Sequence, residues 1–203
     1  MKIAFDIDNV LADILSTARD VLEDDMGLEP GSLEIIDYYD SPFRLKGDSS
    51  PVSVEHSFWN DERVILNCRV YPDAVEAVAM ADDAGRFAGY VTRRPESVRN
   101  LTQAWMDSIP LRRGMVMHVG TDDPNTAYDM CKSEACAALG ATYLIDDHAD
   151  EFASAHAAGV SMVVVDAFTG RKKRRQILAN YPKIPLVPDA ISAVRHILSE
   201  TKR

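Results

Sequence analysis

Lys2-Ile3-Ala4-Phe5-Asp6-Ile7-Asp8-Asn9-Val10-Leu11-Ala12-Asp13 is the stretch that decides how the remaining residues of this 203-residue chain are read. Its first apolar run has the character of a short buried strand, and it ends in two carboxylates spaced two apart. An extended strand feeding a tight turn aims Asp6 and Asp8 into one small volume. Two anions there repel unless a cation joins them, and burying them uncompensated costs on the order of several kcal/mol or shifts their pKa values strongly. The pattern therefore points to a divalent cation. The competing reading is a solvated surface turn. Asp-x-Asp is short and common, so its meaning has to come from the rest of the chain.

The length suits one core with an insert and is enough to bury a substantial hydrophobic interior. Apolar residues make up 46% and charged residues 27%, in short aliphatic runs separated by turn formers, the pattern of a soluble globular protein with nothing that argues for disorder. No run approaches the length of a membrane span. Asp6 and Asp8 interrupt the first hydrophobic run almost at once, so no secretory signal is expected and a cytoplasmic location is the default. Cys68, Cys131 and Cys136 have neither Cys-x-x-Cys spacing nor a nearby histidine pattern, and read as reduced thiols. A formal charge of −10 disfavours nonspecific nucleic-acid binding and requires local positive charge for any anionic substrate. Nothing in the sequence fixes an oligomeric state.

Five strands are expected, at 2–5, 88–91, 115–119, 142–145 and 162–165. Helical patterns lie between most of them. Pro72-Asp73 opens one that runs to Gly85, and 97–106, 125–139, 150–158 and 189–198 read similarly. Strand and helix in alternation imply a doubly wound α/β core, a mostly parallel sheet covered on both faces. Residues 14–70 break the alternation. Ile14, Leu15, Ala18, Val21 and Leu22 follow helical spacing up to Gly27, then Pro, Gly, Asp and Ser punctuate shorter segments. The reading is a core of residues 1–13 and 71–203 with a small helical insert at 14–70, placed over the carboxyl ends of the strands, where open α/β sheets bind ligands.

Three later features give Asp6 and Asp8 their meaning. Thr92 follows Gly89-Tyr90-Val91, Lys132 precedes the helical Ala135–Leu139 stretch, and Asp146-Asp147 follow Tyr143-Leu144-Ile145. All could converge on Asp6. Their types suit phosphoryl transfer: magnesium takes carboxylate and phosphate oxygens, while a hydroxyl and an ammonium bind the remaining charge on the transferring group. Mg2+ and Lys132 together would nearly balance the four carboxylates.

This ordered set, Asp6-Ile7-Asp8-Asn9-Val10, Thr92, Lys132 and Asp146-Asp147, resembles the four motifs of the haloacid dehalogenase superfamily of phosphohydrolases. The resemblance spans residues 1–13 and about 71–168, and the insert stands where that superfamily carries a helical cap of the C1 type. Asp6-Ile-Asp-Asn-Val-Leu-Ala-Asp13 and Leu144-Ile-Asp-Asp147 look most like the cytosolic 5'(3')-deoxyribonucleotidase-like branch. The resemblance implies a Rossmann-like core and a Mg2+-dependent phosphomonoesterase acting on a small phosphate ester such as a (deoxy)nucleoside monophosphate. It implies that Asp6 is the nucleophile, forming an aspartyl-phosphate, and that Asp8 is the general acid and then base. Mg2+ would be held by Asp6, the Asp8 carbonyl and Asp146, with Asp147 supporting the site or binding through water. Thr92 and Lys132 would bind the phosphoryl group. Two positions depart from the motif: Val10 replaces the commoner Thr, and Asn9 stands where Gly is frequent. If Lys132 points away, Arg112 or Arg113 could supply its charge.

Arg93 and Arg94 are candidates for contact with substrate from the rim of the site, against the plainer alternative of surface salt bridges. Tyr38, Tyr39, Phe43, Phe58 and Trp59 could stack on a base, or form the insert's own core. The Arg171–Arg175 block reads as a solvated loop or helix start, and Asp13 as a hinge or helix-start residue. None of the five histidines has metal-ligand spacing. Two readings from other classes compete: a phosphoacceptor signalling or binding module, disfavoured by an acceptor on the first strand and a cap-sized insert, and a catalytically silent interaction protein on the same fold, disfavoured by the intact motif residues.

Overall fold

The computed structural model describes residues 1–37, 41–123, 129–166, 179 and 181–200. A six-stranded parallel sheet, β1 (Ile3–Asp6), β7 (Phe87–Pro95), β8 (Val116–Gly120), β9 (Tyr143–Asp146), β10 (Ser161–Val165) and β11 (Leu186–Val187), runs in the order β11-β10-β9-β1-β7-β8. The doubly wound α/β reading is what the chain adopts. The five expected strands are present with ends moved by a few residues, and the two-residue β11 adds an edge.

Strand alternation sorts the side chains onto two faces. Ile3 and Phe5 pack into the larger cluster, with α3 (Ala74–Asp83), α4 (Arg99–Ser108) and α7 (Ala190–Glu200). Ala4 and Leu144 pack into the opposite cluster, with α5 (Lys132–Ala138) and α6 (Phe152–Ala157). β1 is buried along its whole length, as a central parallel strand must be. No helix among the described residues is long and apolar enough to cross a membrane.

The insert departs from the expectation of a purely helical unit. It leaves and returns through a two-stranded antiparallel ribbon, β2 (Ala12–Asp13) with β6 (Arg69–Val70). Between them lie α1 (Ile14–Asp25), a three-stranded antiparallel sheet of β3 (Leu33–Asp37), β4 (Ser41–Leu45) and β5 (Pro51–Val52), and the short α2 (Glu62–Leu66). The physical reason is period-two alternation: Leu33 and Phe43 are buried while the intervening Glu34 and Arg44 pair across the strands at 2.9 Å. Glu23, buried on α1, accepts from the backbone N–H groups of Gly31 and Leu33 at 2.8 and 2.7 Å and so fixes where β3 begins. Asp13 caps α1 by accepting from the Ser16 N–H at 3.2 Å.

The insert shares the main apolar cluster with the sheet: Ile14, Leu15, Phe43, Val64 and Ile65 pack together with Trp105 and Met106. α2 lies against α4, and the Trp105 indole N–H donates to the Cys68 carbonyl at 2.7 Å. His56 reaches the Thr121 carbonyl beyond the end of β8 at 3.2 Å.

Candidate active site

Register places the first carboxylates. Ala4 and Phe5 pair with Leu144 and Ile145, so the next step along both strands brings Asp6 beside Asp146 at their carboxyl ends. Both lie two residues beyond the Ala4 and Leu144 positions, and alternation turns them toward the α5 face. There Lys132 opens α5, its first turn fixed by Glu134, which accepts from the Cys131 N–H at 3.0 Å. The Lys132 ammonium lies 3.0 Å from Asp6 Oδ1 and 2.8 Å from Asp146 Oδ2. Asp146 Oδ1 accepts the His148 N–H at 2.7 Å. Asp6, Asp146 and Asp147 each offer a carboxylate oxygen within 4.8 Å of the others, and all three side chains are buried.

Lys132 does not fully compensate the Asp6 carboxylate. Burial, which Lys132 only partly offsets, together with repulsion from Asp146, Asp147 and Asp8, pushes the Asp6 carboxyl well above the usual carboxylate range. Burial alone would lower the Lys132 pKa, but Asp146 and Asp6 outweigh it and hold the ammonium above its ordinary value. Hard carboxylate oxygens converging in a site that favours the neutral form of Asp6 fit a small divalent cation such as Mg2+.

Asp8 belongs to a second cluster. β7 is longer than expected, so Thr92, Arg93 and Arg94 lie within it, and a register shift against β8 falls between Thr92 and Pro95. Such a bulge re-aims side chains. It sends Arg93 to the rim, paired with buried Glu151, and Arg94 inward to Asp8. Arg94 Nε donates to Asp8 Oδ2 at 3.1 Å and Nη2 to Oδ1 at 2.7 Å, a side-on bidentate pair. Thr92 Oγ1 lies 3.5 Å from Asp8 Oδ2 and accepts the Arg94 N–H at 3.1 Å. The guanidinium stacks over Trp105, 5.1 Å from the ring centroid, with Nη1 3.5 Å from Thr102 Oγ1.

Arg94 therefore does not stand on the rim as the sequence reading expected; it is 4% exposed, against 36% for the Arg93 side chain. The close packing is enforced at Gly120, where an added Cβ would fall 1.6 Å from the Arg93 carbonyl oxygen. Asn9 adopts a left-handed backbone at φ 61°, which accounts for glycine's suitability at this turn and asparagine's tolerance of it.

The structure thus gathers Asp6, Lys132, Asp146 and Asp147 into one cluster, and Asp8, Thr92 and Arg94 into a neighbouring one. Arg112 and Arg113 pair with Asp82 and Asp107 instead. Phe43 is buried and stacks on Trp59 at 6.2 Å, with Phe58 edge-on, so these rings form the insert's interior. Tyr38, Tyr39 and Arg171–Arg175 lie outside the described residues. The sequence reading missed Arg94 as a partner of Asp8, the Trp105 stack and the buried Glu151. Cys68 and Cys136 are buried and Cys131 half-buried, all free thiols; burial pushes the Cys68 thiol up to about 12, so it stays protonated beside this cluster.

Neither a protein-family model nor a curated protein matches the chain. Solved structures do. A haloacid dehalogenase family hydrolase from Deinococcus radiodurans, with bound phosphate and sodium, is 17% identical with a TM-score of 0.60 over 98% of this chain and 95% of that one. A conserved haloacid dehalogenase-like protein from Agrobacterium tumefaciens gives 12% identity and 0.62, over 99% and 98%. A D,D-heptose 1,7-bisphosphate phosphatase from B. bronchiseptica, complexed with magnesium and phosphate, gives 12% and 0.56, over 98% and 99%. The chain has the fold of the haloacid dehalogenase-like hydrolases.

Proposed function

We propose that the protein is a Mg2+-dependent phosphomonoesterase that hydrolyses a small phosphate ester through an aspartyl-phosphate on Asp6. The observation that carries this reading is the buried Asp6, Asp146 and Asp147 cluster, its carboxylate oxygens within 4.8 Å of one another, with Lys132 wedged against Asp6 and Asp146 and Asp8 held beside it. Side chains of Asp6 and Asp146, the Asp8 carbonyl and Asp147 would hold the ion, which when bound supplies Lewis-acid contact to a phosphoryl oxygen.

Lys132 and Thr92 bind the phosphoryl oxygens. An Asp6 carboxylate oxygen bonds to phosphorus as the ester P–O bond breaks, and Asp8 gives its proton to the leaving oxygen. A water oxygen then bonds to phosphorus as the Asp6–phosphorus link breaks, its proton passing to Asp8. Inorganic phosphate leaves and Asp6 is regenerated. Asp8 supports phosphatase over dehalogenase chemistry, which needs no acid at the leaving oxygen.

(Deoxy)nucleoside monophosphates are the substrate class that the first and fourth motifs favour. A phosphate-ester panel of deoxy- and ribonucleotides, run with and without Mg2+, tests it; a flat, weak profile removes the nucleotidase assignment and leaves the phosphatase. Asp6→Asn tests the reaction itself. It removes the nucleophile with little change in volume, and turnover should fall at least about a thousandfold in a folded protein. Near-normal turnover by that variant overturns the assignment.

A further inference from the structure

We propose that Arg94 is a positioning residue for the water step, holding the Asp8 carboxyl in place and in plane so that it takes the proton of the water that attacks the Asp6-phosphate. The inference rests on the proposed aspartyl-phosphate chemistry and goes beyond it in giving Arg94 a role at one particular step.

Two bonds from one planar guanidinium fix both the place and the plane of a carboxylate, which a single contact does not. Arg94 is itself immobilised on every side. Its backbone N–H bonds Thr92, its carbonyl meets the His118 ring at 3.2 Å, its guanidinium lies over Trp105, and Nη1 faces Thr102. Trp105 is in turn tied to the Cys68 carbonyl, where the insert returns to the core. The edge carrying Nε and Nη2 is committed to Asp8, so the clamp is set before any substrate arrives.

The two Asp8 oxygens are not equivalent. Oδ2 receives Arg94 Nε and lies within 3.5 Å of the Thr92 hydroxyl, whereas Oδ1 receives Arg94 Nη2. Oδ1 keeps the less crowded lone pair, and the structure assigns it the transferred proton. In that step the water oxygen bonds to phosphorus, the Asp6–phosphorus bond breaks, and the water proton moves to Asp8 Oδ1.

Arg94→Met separates this role from the alternatives. With p-nitrophenyl phosphate, a folded Arg94→Met protein should release about one equivalent of nitrophenolate rapidly and then turn over about 10- to 100-fold more slowly than wild type. Phosphorylated Asp6 should accumulate, read by intact mass after acid quench. The slow rate should be the same for good and poor leaving groups, because hydrolysis of the common intermediate limits both. Arg94→Lys, which keeps the charge but offers no planar fork, should recover part of the rate. Arg94→Met in an Asp8→Asn background should cost little more than Asp8→Asn alone.

A reduced burst with no phosphoenzyme build-up marks a merely structural role, and a raised KM with a slowed burst marks direct phosphate binding; either overturns the proposal, as does wild-type behaviour. Should Arg94→Met not fold, the Arg94→Lys protein carries the same phosphoenzyme test, and its wild-type behaviour overturns the proposal equally. Absence of any phosphate on wild-type Asp6, with turnover surviving Asp6→Asn, instead removes the proposed function beneath it.

Discussion

The two clusters at the carboxyl end of the sheet solve the same problem, carboxylates out of water, in opposite ways. Around Asp8 the solution is internal: Arg94 meets the carboxylate in bidentate fashion, and Trp105 and Thr102 hold the guanidinium in turn. Around Asp6 the match is incomplete: the Lys132 ammonium lies between Asp6 and Asp146, yet burial and the neighbouring carboxylates still hold the Asp6 carboxyl well above its ordinary range. A buried charge left under-compensated is costly, and proteins retain such costs at sites that receive a charged partner. The difference separates the cluster that favours a neutral Asp6 carboxyl from the one whose carboxylate already has its guanidinium partner.

The largest expected effects break the comparison at its chemical ends. Asp6→Asn should stop the reaction, and Arg94→Met should slow its second half. Gly120→Ala attacks the frame of the Asp8 cluster: the new methyl collides with the Arg93 carbonyl, so the bulge that aims Arg94 must move. A loss of about 2–4 kcal/mol in stability is expected, together with the phosphoenzyme build-up of a weakened clamp. Urea unfolding and quench mass spectrometry measure the two; unchanged stability would show that the strands tolerate the shift.

A smaller effect sharpens the Asp6 side. Because the folded-state pKa of Asp6 lies above its unfolded value, its contribution to the stability of the metal-free protein is present in full at low pH and is lost as pH rises through the folded pKa. Asp6→Asn should then stabilise the metal-free protein at neutral pH by about 1–2 kcal/mol, an advantage that shrinks as pH falls toward the ordinary Asp value of about 3.9. Urea midpoints with chelator at neutral and acidic pH read this directly. An advantage that grew on acidification would mean that Lys132 already satisfies Asp6.

The sequence showed the Asp6 cluster well because each member ends a strand or opens a helix of a regular alternation, and parallel pairing then makes Asp6 and Asp146 neighbours. The Asp8 cluster was only half legible. Arg93 and Arg94 are chemically identical neighbours, and the bulge that sends one to Glu151 and the other to Asp8 has no signature in composition or periodicity. Nor can a pair 86 residues apart be read from local spacing. The insert was read as helical because its strands are of five residues or fewer, set among Pro, Gly and Ser, so that alternation such as Leu33-Glu34-Ile35 is brief.

Diffraction from Mn2+-soaked crystals, with anomalous maps, tests the central contrast most directly. The account predicts an anomalous peak within about 2.0–2.4 Å of carboxylate oxygens of Asp6 and Asp146, with the Arg94–Asp8 pair undisturbed beside it. A peak elsewhere, or none at a Mn2+ concentration that supports turnover, would contradict it.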